Sequence, residues 1–372
     1  MPRILHTADW QIGRQYGRFA PEDAAVLADA RFSTIQRIAA LAAEARVDAV
    51  LVAGDVFDAQ TVSDRTIRRL FNALQGYPGP WVLIPGNHDA ALAESVWSRA
   101  RRLAAIPPHV HVLLRPDTLE LPNVGLAILA APLTQRQTRH DLTEWFDTAR
   151  TTPGLRRIGL AHGSVQGLLA EAADTSNPIA ADRAERARLD YLALGDWHGL
   201  KQAGPRTWYS GTPEQERFKD NGAGHVLLVD LPGDSGLPQV TPRPTSQYRW
   251  EHWDVELALA TDLDQLIARL RQLPGHTVLD LAISGHIDLA EETRLQQALS
   301  VTQGRCRSLQ ADLDRLRLTP SAQDIAALQA DGYLGEVIDE LQGQQDGPEG
   351  QTARDALVIL SRLLRAQTDA QP

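Results

Sequence analysis

The chain has 372 residues, 43% hydrophobic and 23% charged, enough for two domains and at least one sizeable core. Its one cysteine, Cys306, excludes an internal disulfide and fits a reducing compartment. Net charge is −10, but residues 247–372 hold 11 Arg against 20 Asp and Glu, whereas the 246 residues before them hold 26 Lys and Arg against 27 Asp and Glu, so the acidity does not exclude nucleic acid as a partner of the N-terminal part. No apolar run approaches the ~20 residues that span a membrane, and Met1 leads almost directly into a strand without an apolar leader, so a cytoplasmic protein with no membrane partner is expected. Only Lys201 and Lys219 are lysines; arginine forks onto phosphate, though a high-GC genome gives the same bias.

Arg3 to Leu5 opens the first strand, closed by His6-Thr7-Ala8-Asp9-Trp10-Gln11. Residues 22–46 carry Val26, Ile35, Ile38 and Leu41 at helical spacing. The apolar run Ala49 to Ala53 reads as a buried strand, and Gly54 lets the chain turn sharply into Asp55-Val56-Phe57-Asp58. Ser63-Asp64 cap a helix to about Gln75. A strand over 80–85 ends in Gly86-Asn87-His88-Asp89, and a helix over 91–104 carries Arg99, Arg101 and Arg102. Strands near 110–114 and 124–130 and a helix over 141–150 follow. The strand 158–161 delivers His162-Gly163. A polar loop, 171–181, and a short Arg-rich helix lead to strand 191–194, which ends in Gly195-Asp196-Trp197-His198-Gly199. Short strands are predicted at 207–210, 224–230 and 239–243.

The Pro/Ser-rich stretch 241–246 reads as a boundary. Beyond it, helices over 262–273, 289–300 and 320–330 and strands over 276–283 and 307–312 suggest a small α+β unit. A turn-rich break at 343–350 precedes an amphipathic helix, 351–367. The expected division is 1–245, 246–342 and 343–372.

Five strand ends carry a concentrated polar load: Asp9; Asp55 with Asp58; Asn87 with His88; His162; Asp196 with His198. Each follows an apolar run. Any one alone reads equally as a cap or turn residue. Parallel strands share a carboxyl edge, however, and there five such groups can converge. Asp, Asn and His suit hard to borderline divalent ions, and Asp55, with two carboxylate oxygens, can bridge two of them. Such a pair can clamp both oxygens of an in-line phosphoryl displacement.

The set D-x-Q, G-D-x-x-D, G-N-H-D, H-G and G-D-x-H resembles the calcineurin-like metallophosphoesterases. Within them, H-T-A-D-W, A-G-D-V-F-D, I-P-G-N-H-D, and Trp208 to Pro213 followed by Gly224 to Asp230 are most similar to the SbcD-type DNA-repair nucleases. The resemblance implies a four-layer αββα sandwich over 1–245, followed by a small α+β DNA-capping domain. It implies two metal ions, one on Asp9, Gln11, Asp55 and His198, the other on Asp55, Asn87, His162 and Asp196. His88 would be the catalytic histidine beside the scissile phosphate. Asp58 falls where such nucleases often have a second active-site histidine, which leaves its catalytic role open. Gln11 and Asp196 stand where the family usually has histidine. Both replace nitrogen by oxygen and shift the expected preference toward Mn²⁺; Gln11 binds directly, through water, or not at all.

Trp10 and Trp197 either stack bases at the mouth or pack beneath the site. Arg14, Tyr16 and Arg18 either track a phosphate backbone or form a solvated loop. Relatives dimerise through helices near the site, and the apolar faces of 62–75 and 91–104 either do so here, giving a homodimer, or are covered by the sheet. The leading expectation is a Mn²⁺-dependent DNA endonuclease acting on single-stranded or structured DNA, since only about one helix follows the 343–350 break to grip a partner. The alternatives are a 3′-exonuclease subunit of an SbcC-type ATPase, a small-nucleotide phosphodiesterase or phosphatase, and a non-catalytic scaffold.

Overall fold

The computed structural model describes residues 1–168, 176–233, 236–259, 261–319, 333–344 and 346–369. Strands β1 (Arg3–Thr7), β2 (Ala49–Ala53), β3 (Trp81–Ile84), β4 (Val110–Val112), β5 (Asp117–Leu121), β6 (Leu126–Ala131) and β7 (Arg156–His162) are followed by the two-residue strands β8 (Ser164–Val165) and β9 (Pro178–Ile179), then by β10 (Tyr191–Gly195), β11 (Lys201–Gly204), β12 (Thr207–Tyr209), β13 (His225–Asp230) and β14 (Gln239–Pro244). Helices α1 (Pro21–Glu44), α2 (Asp64–Ala73), α3 (Val96–Arg102) and α4 (Arg183–Arg186) lie between them. All belong to one compact unit, Met1–Glu216 with Asp220–Tyr248.

Two six-stranded sheets result, in the orders β14-β13-β1-β2-β3-β4 and β11-β12-β10-β7-β6-β5. The neighbours β1, β2, β3 and β4 are parallel, as are β6, β7, β10 and β12. Every residue of β2 is buried, yet its two faces meet different partners. Val50 and Val52 join Ile35 and Ile38 of α1, Leu70 and Phe71 of α2, and Trp97 of α3. Ala49, Leu51 and Ala53 instead meet Ile128 of β6, Leu160 of β7 and Ala193 of β10. A third cluster joins Leu192 and Leu194 of β10 to Phe146, Ala184 and Leu189 on the far side of the second sheet. Period-two alternation thus survives in strands with no polar face and builds helix, sheet, sheet and helix in layers. Each fully buried Val, Ile or Leu contributes roughly 1.5–3 kcal/mol.

One polar bridge crosses between the sheets. His6 is fully buried, with Nδ1 3.0 Å from the Tyr191 hydroxyl and Nε2 3.2 Å from the Leu194 carbonyl. Burial holds the ring down to about 3, hence neutral, which fits one donated and one accepted hydrogen bond.

Some expectations need correction. The helix predicted over 91–104 is Val96–Arg102, because Ser95 and Ser98 close a capping box at its start. The stretch 141–150 is helical only in a short 3₁₀ turn, Glu144–Asp147; the Asp141 carboxylate instead accepts from the backbone N–H of Thr143 and of Ala180. Strand β5, at the sheet edge, was not predicted. The apolar faces proposed for dimerisation are covered: Ile67, Leu70 and Phe71 of α2, and Val96, Trp97 and Ala100 of α3, lie in the core beneath the first sheet. Of the predicted loop 171–181, residues 171–175 lie outside the described residues, as does the predicted helix 320–330.

The second unit comprises Arg217–Lys219 and Arg249–Pro372. Its strands β15 (Arg249–Leu257), β16 (Thr277–Ile287) and β17 (Ser308–Leu318) form a parallel sheet in that order, connected through α5 (Asp262–Gln272) and α6 (Leu289–Gln303). Strand β15 was not predicted, although Trp253 and Leu257 alternate with charged residues along it. Leu266, Ile267 and Leu270 of α5 and Leu295 of α6 pack with Leu279, Leu281 and Ile283 of β16. Among the described residues, two helices follow, α7 (Tyr333–Gln344) and α8 (Gly350–Asp369).

Candidate metal centre

The loops leaving β1 and β2 run side by side. Backbone N–H groups of Asp9, Gln11 and Ile12 donate to the carbonyls of Gly54, Asp55 and Val56 at 3.0, 3.0 and 2.9 Å. The backbone there is unusual, with φ of +52° at Asp9, +50° at Gln11 and +51° at Asp55; beyond β10, Asp196 is likewise at +101°. A non-glycine residue held there costs about 1 kcal/mol, and such strain concentrates at functional sites. All four are proposed metal ligands.

The side chains converge. Asp9, Asp55 and His162 are buried and present ligand atoms within 4.8 Å of one another. The Asp9 carboxylate accepts the Asp196 N–H at 3.1 Å. Asp55 Oδ1 accepts the His88 N–H at 2.9 Å, and Oδ2 accepts Gln11 Nε2 at 2.8 Å. His162 Nδ1 donates to the Ala53 carbonyl at 2.8 Å, which turns Nε2 inward, 3.6 Å from Asp55 Oδ1 and 3.7 Å from Asp196 Oδ1. A histidine fixed through one nitrogen to present the other is arranged as a metal ligand is. The Asn87 amide nitrogen meets His162 Nε2 at 2.8 Å and the Asp55 oxygens at 3.1 and 3.2 Å; half a turn presents its oxygen instead. Gly86 permits the crowding, since a Cβ there would overlap Asp55 Oδ1 and press on the His162 ring.

A cation fits this donor set. Gln11 Oε1 is buried and has no hydrogen-bond partner among the described residues. Burial raises the Asp9 carboxyl to about 6, even though the charges of His198 and His162 pull it down. Burial alone would lower His162, but the carboxylates of Asp55, Asp9 and Asp196 raise it to about 9. The pocket is thus strongly electronegative, with oxygen donors outnumbering nitrogen.

His88 stands apart from this buried set, with 42% of its side chain exposed. Its Nδ1 donates to the Asp58 carbonyl at 2.8 Å, since a carbonyl can only accept. Nε2 is therefore the nitrogen that carries the acceptor lone pair when the ring is neutral, and it lies 3.9 Å from Asp55 Oδ2. Asp58 contributes that carbonyl rather than its carboxylate, which faces Arg14 at 3.4 Å.

Three residues that sequence reasoning left without a role support the ligands. Asp89 is buried and accepts the N–H groups of Gly86, Val56 and Phe57 at 2.7, 3.0 and 3.2 Å, bracing the Asn87 loop against the Asp55 loop. Burial, then the charge of Asp55, raises its carboxyl to about 8, against the pull of the Gly86 and Phe57 N–H groups and of the charge of His162. It closes the G-N-H-D motif, so its signal was present. Glu216 is buried, with Oε1 2.5 Å from His198 Nδ1 and Oε2 2.5 Å from Arg31. Arg31, from α1, reaches the Trp10 carbonyl at 2.7 Å and the Tyr16 hydroxyl at 2.9 Å. His198 is thereby oriented by residues distant in the chain, and no spacing rule marks them.

Two DNA-contact candidates are overturned. Trp10 is 1% exposed, its Nε1 donates to Thr7 Oγ1 at 2.9 Å, and its ring packs edge-on to Trp81, so it lies under the site and offers no face to a base. Tyr16 is 6% exposed and faces Arg31. Arg14 is partly buried against Asp58 and Glu216, at 3.4 and 3.3 Å. Arg18 is exposed, its guanidinium 5.0 Å from the Phe19 ring centroid. Trp197 is half-buried with Lys201 Nζ 5.4 Å from the ring centroid, and of the two tryptophans only it can still meet a base.

Residues 2–287 match the calcineurin-like phosphoesterase family. The chain is 31% identical to the SbcD component of the SbcCD nuclease of Rhodobacter capsulatus over 300 residues, covering 66% of this chain and 71% of that one. It is 27% identical to the SbcD component of the Bacillus subtilis SbcCD nuclease over 286 residues, 64% and 68% of the two chains. Identity to the DNA double-strand break repair protein Mre11 of Aeropyrum pernix is 27% over 271 residues, 68% and 63%. The family match spans both layered sheets and every strand end that carries a candidate ligand, and these carboxylates, amides and imidazoles suit the binuclear divalent-metal site of that family. This chain belongs to the calcineurin-like phosphoesterases, metal-dependent hydrolases of phosphoesters.

Proposed function

We propose that the protein is a Mn²⁺-dependent DNA phosphodiesterase that cuts single-stranded or structured DNA internally. The observation that carries the reading is the pairing of a buried ligand cluster, Asp9, Asp55 and His162, with a partly exposed His88 whose Nδ1 is held by the Asp58 carbonyl and whose Nε2 lies 3.9 Å from Asp55 Oδ2, at the rim of the cluster. Asp9, Gln11, Asp55 and His198 would hold one ion, and Asp55, Asn87, His162 and Asp196 the other. Bound there, the ions would supply charge to neutralise a phosphodiester in displacement. The chain's own residues do the rest. Asp89 and Glu216 fix the loops, and His88 donates from Nε2 to the departing oxygen. DNA as substrate is supported by the relatives, named as nuclease components and a break-repair protein. An exposed His88 at a sheet edge can meet a bond inside a strand without a chain end. The C-terminal unit is read as the DNA-capping domain.

A second reading, an exonuclease subunit bound to an SbcC-type ATPase, is favoured by α7 and α8, which leave Tyr333, Ile359 and Leu363 exposed. The deciding assay offers the purified chain circular single-stranded DNA, linear duplex and a chromogenic phosphodiester, with Mn²⁺, Mg²⁺ or Zn²⁺. Linearised circles with Mn²⁺ are expected. Digestion from ends only supports the second reading. Ester cleavage alone makes it a small-substrate phosphodiesterase, and silence on all three a scaffold.

Gln11 offers a finer test. With Nε2 held by Asp55 and Oε1 unpartnered, Gln11→Ala is expected to raise the Mn²⁺ needed for half-maximal activity severalfold while saturated turnover largely recovers. Gln11→His should be tolerated and widen use toward Co²⁺ or Zn²⁺, which imidazole suits. If both variants titrate and turn over as the parent does, Gln11 does not face an ion.

A further inference from the structure

We infer that the loop 134–140, Thr-Gln-Arg-Gln-Thr-Arg-His, holds the backbone phosphates of a polynucleotide next to the scissile bond; this rests on the proposed nuclease reading. The loop leaves the carboxyl end of β6, which pairs in parallel with β7, the strand that ends in His162. Two sets of bonds fix it beside the ligands. Leu133 N–H donates to the Pro85 carbonyl at 3.3 Å and Ala91 N–H to the Leu133 carbonyl at 2.8 Å, on either side of Asn87 and His88. Asn177, buried with φ of +61°, clamps the other end. Its Oδ1 accepts the Thr138 N–H at 2.9 Å, its own N–H donates to the Thr138 carbonyl at 2.8 Å, and its carbonyl accepts the Ser164 N–H at 2.9 Å, two residues past His162. Thr138, His140 and His162 line one small cavity.

What this anchored loop presents is positive charge. Arg136, Arg139 and His140 are exposed, and neither arginine has an ion-pair partner among the described residues. Arg14 is by contrast committed to Asp58 and Glu216. A cationic fork on a pre-fixed backbone, two loops from His88, suits a phosphate flanking the one being cut. A small ester has no such phosphate and should not sense the loop.

The test compares Arg136→Ala/Arg139→Ala with the parent on oligonucleotide and on a chromogenic phosphodiester, across salt. Half-saturation by DNA is expected to rise about tenfold near 0.1 M salt, and the log–log salt dependence of binding to become shallower by about 1.5, the share of two lost phosphate contacts. Ester turnover and bound metal should be unchanged. The control Arg65→Ala/Arg68→Ala removes the same charge from the exposed face of α2. If the control matches the loop variant, or the loop variant binds DNA like the parent, the inference is overturned. A parent that cleaves the ester but neither binds nor cuts DNA overturns the nuclease reading instead.

Discussion

Asp55→Ala is expected to lower phosphodiester hydrolysis by on the order of a thousandfold or more, the loss that follows when neither of two cooperating ions is held. The expectation comes from what Asp55 touches. One oxygen accepts the His88 N–H, the other the Gln11 amide, and His162 Nε2 lies 3.6 Å away. Asp55 thus ties together the loops after β1 and β3 and the end of β7. Bound metal per chain should fall with activity. The fold should persist, because Asp89 still braces the Asn87 loop through Gly86, Val56 and Phe57. A variant keeping even a tenth of parental turnover with both ions bound would show that Asp55 is not the bridge.

His88→Ala should separate two substrates. A deoxyribose oxygen leaves poorly unless protonated, and a positioned acid supplies roughly 10²–10⁴-fold. A nitrophenolate leaves without help. DNA cleavage is therefore expected to fall by two orders of magnitude or more, and cleavage of the nitrophenyl ester by less than about tenfold. Metal content should stay at the parental level, because the hydrogen bond that His88 gives Asp55 comes from its backbone N–H, which alanine keeps, while its Nε2 lies 3.9 Å from Asp55 Oδ2, beyond hydrogen-bond reach. Equal losses on both substrates would assign His88 to phosphate binding rather than proton transfer.

Much of this was legible in the sequence, for a physical reason. A parallel strand buried on both faces must be an unbroken apolar run, and its first polar residues must fall at the sheet edge. Hence Asp9, Asp55, Asn87, His162 and Asp196 announced themselves by position. Other features were hidden because they depend on partners far along the chain. Trp10 follows Asp9 and looks like a lip of the site; it is drawn inward by Thr7 and Trp81. Tyr16 and Arg14 look like a basic, aromatic loop. Arg31, 15 residues past Tyr16, and Glu216, a further 185 along the chain, claim them. The helix expected over 141–150 shrinks to the turn 144–147 because the Asp141 carboxylate, not a hydrophobic period, sets the local structure there. The cationic loop 134–140 carried no pattern at all, and it takes its place from backbone bonds at Leu133 and from Asn177, neither of which a spacing rule marks.

The left-handed backbone at Asp9, Gln11, Asp55 and Asp196 has a consequence for durability. Glycine rests in that conformation freely, so a chain shaped only to last would place glycine at such turns. This one keeps side chains there, and three of them are mutually repelling carboxylates. Freed from selection for catalysis, these positions are where drift would make the protein hardier. In the presence of a chelator, Asp196→Gly should resist urea better than the parent, by about 1 kcal/mol of unfolding free energy, while losing function. An unchanged or lower urea midpoint would mean that the bond from Ser164 Oγ and the approach to His162, both lost with the carboxylate, outweigh the strain relieved at φ of +101°.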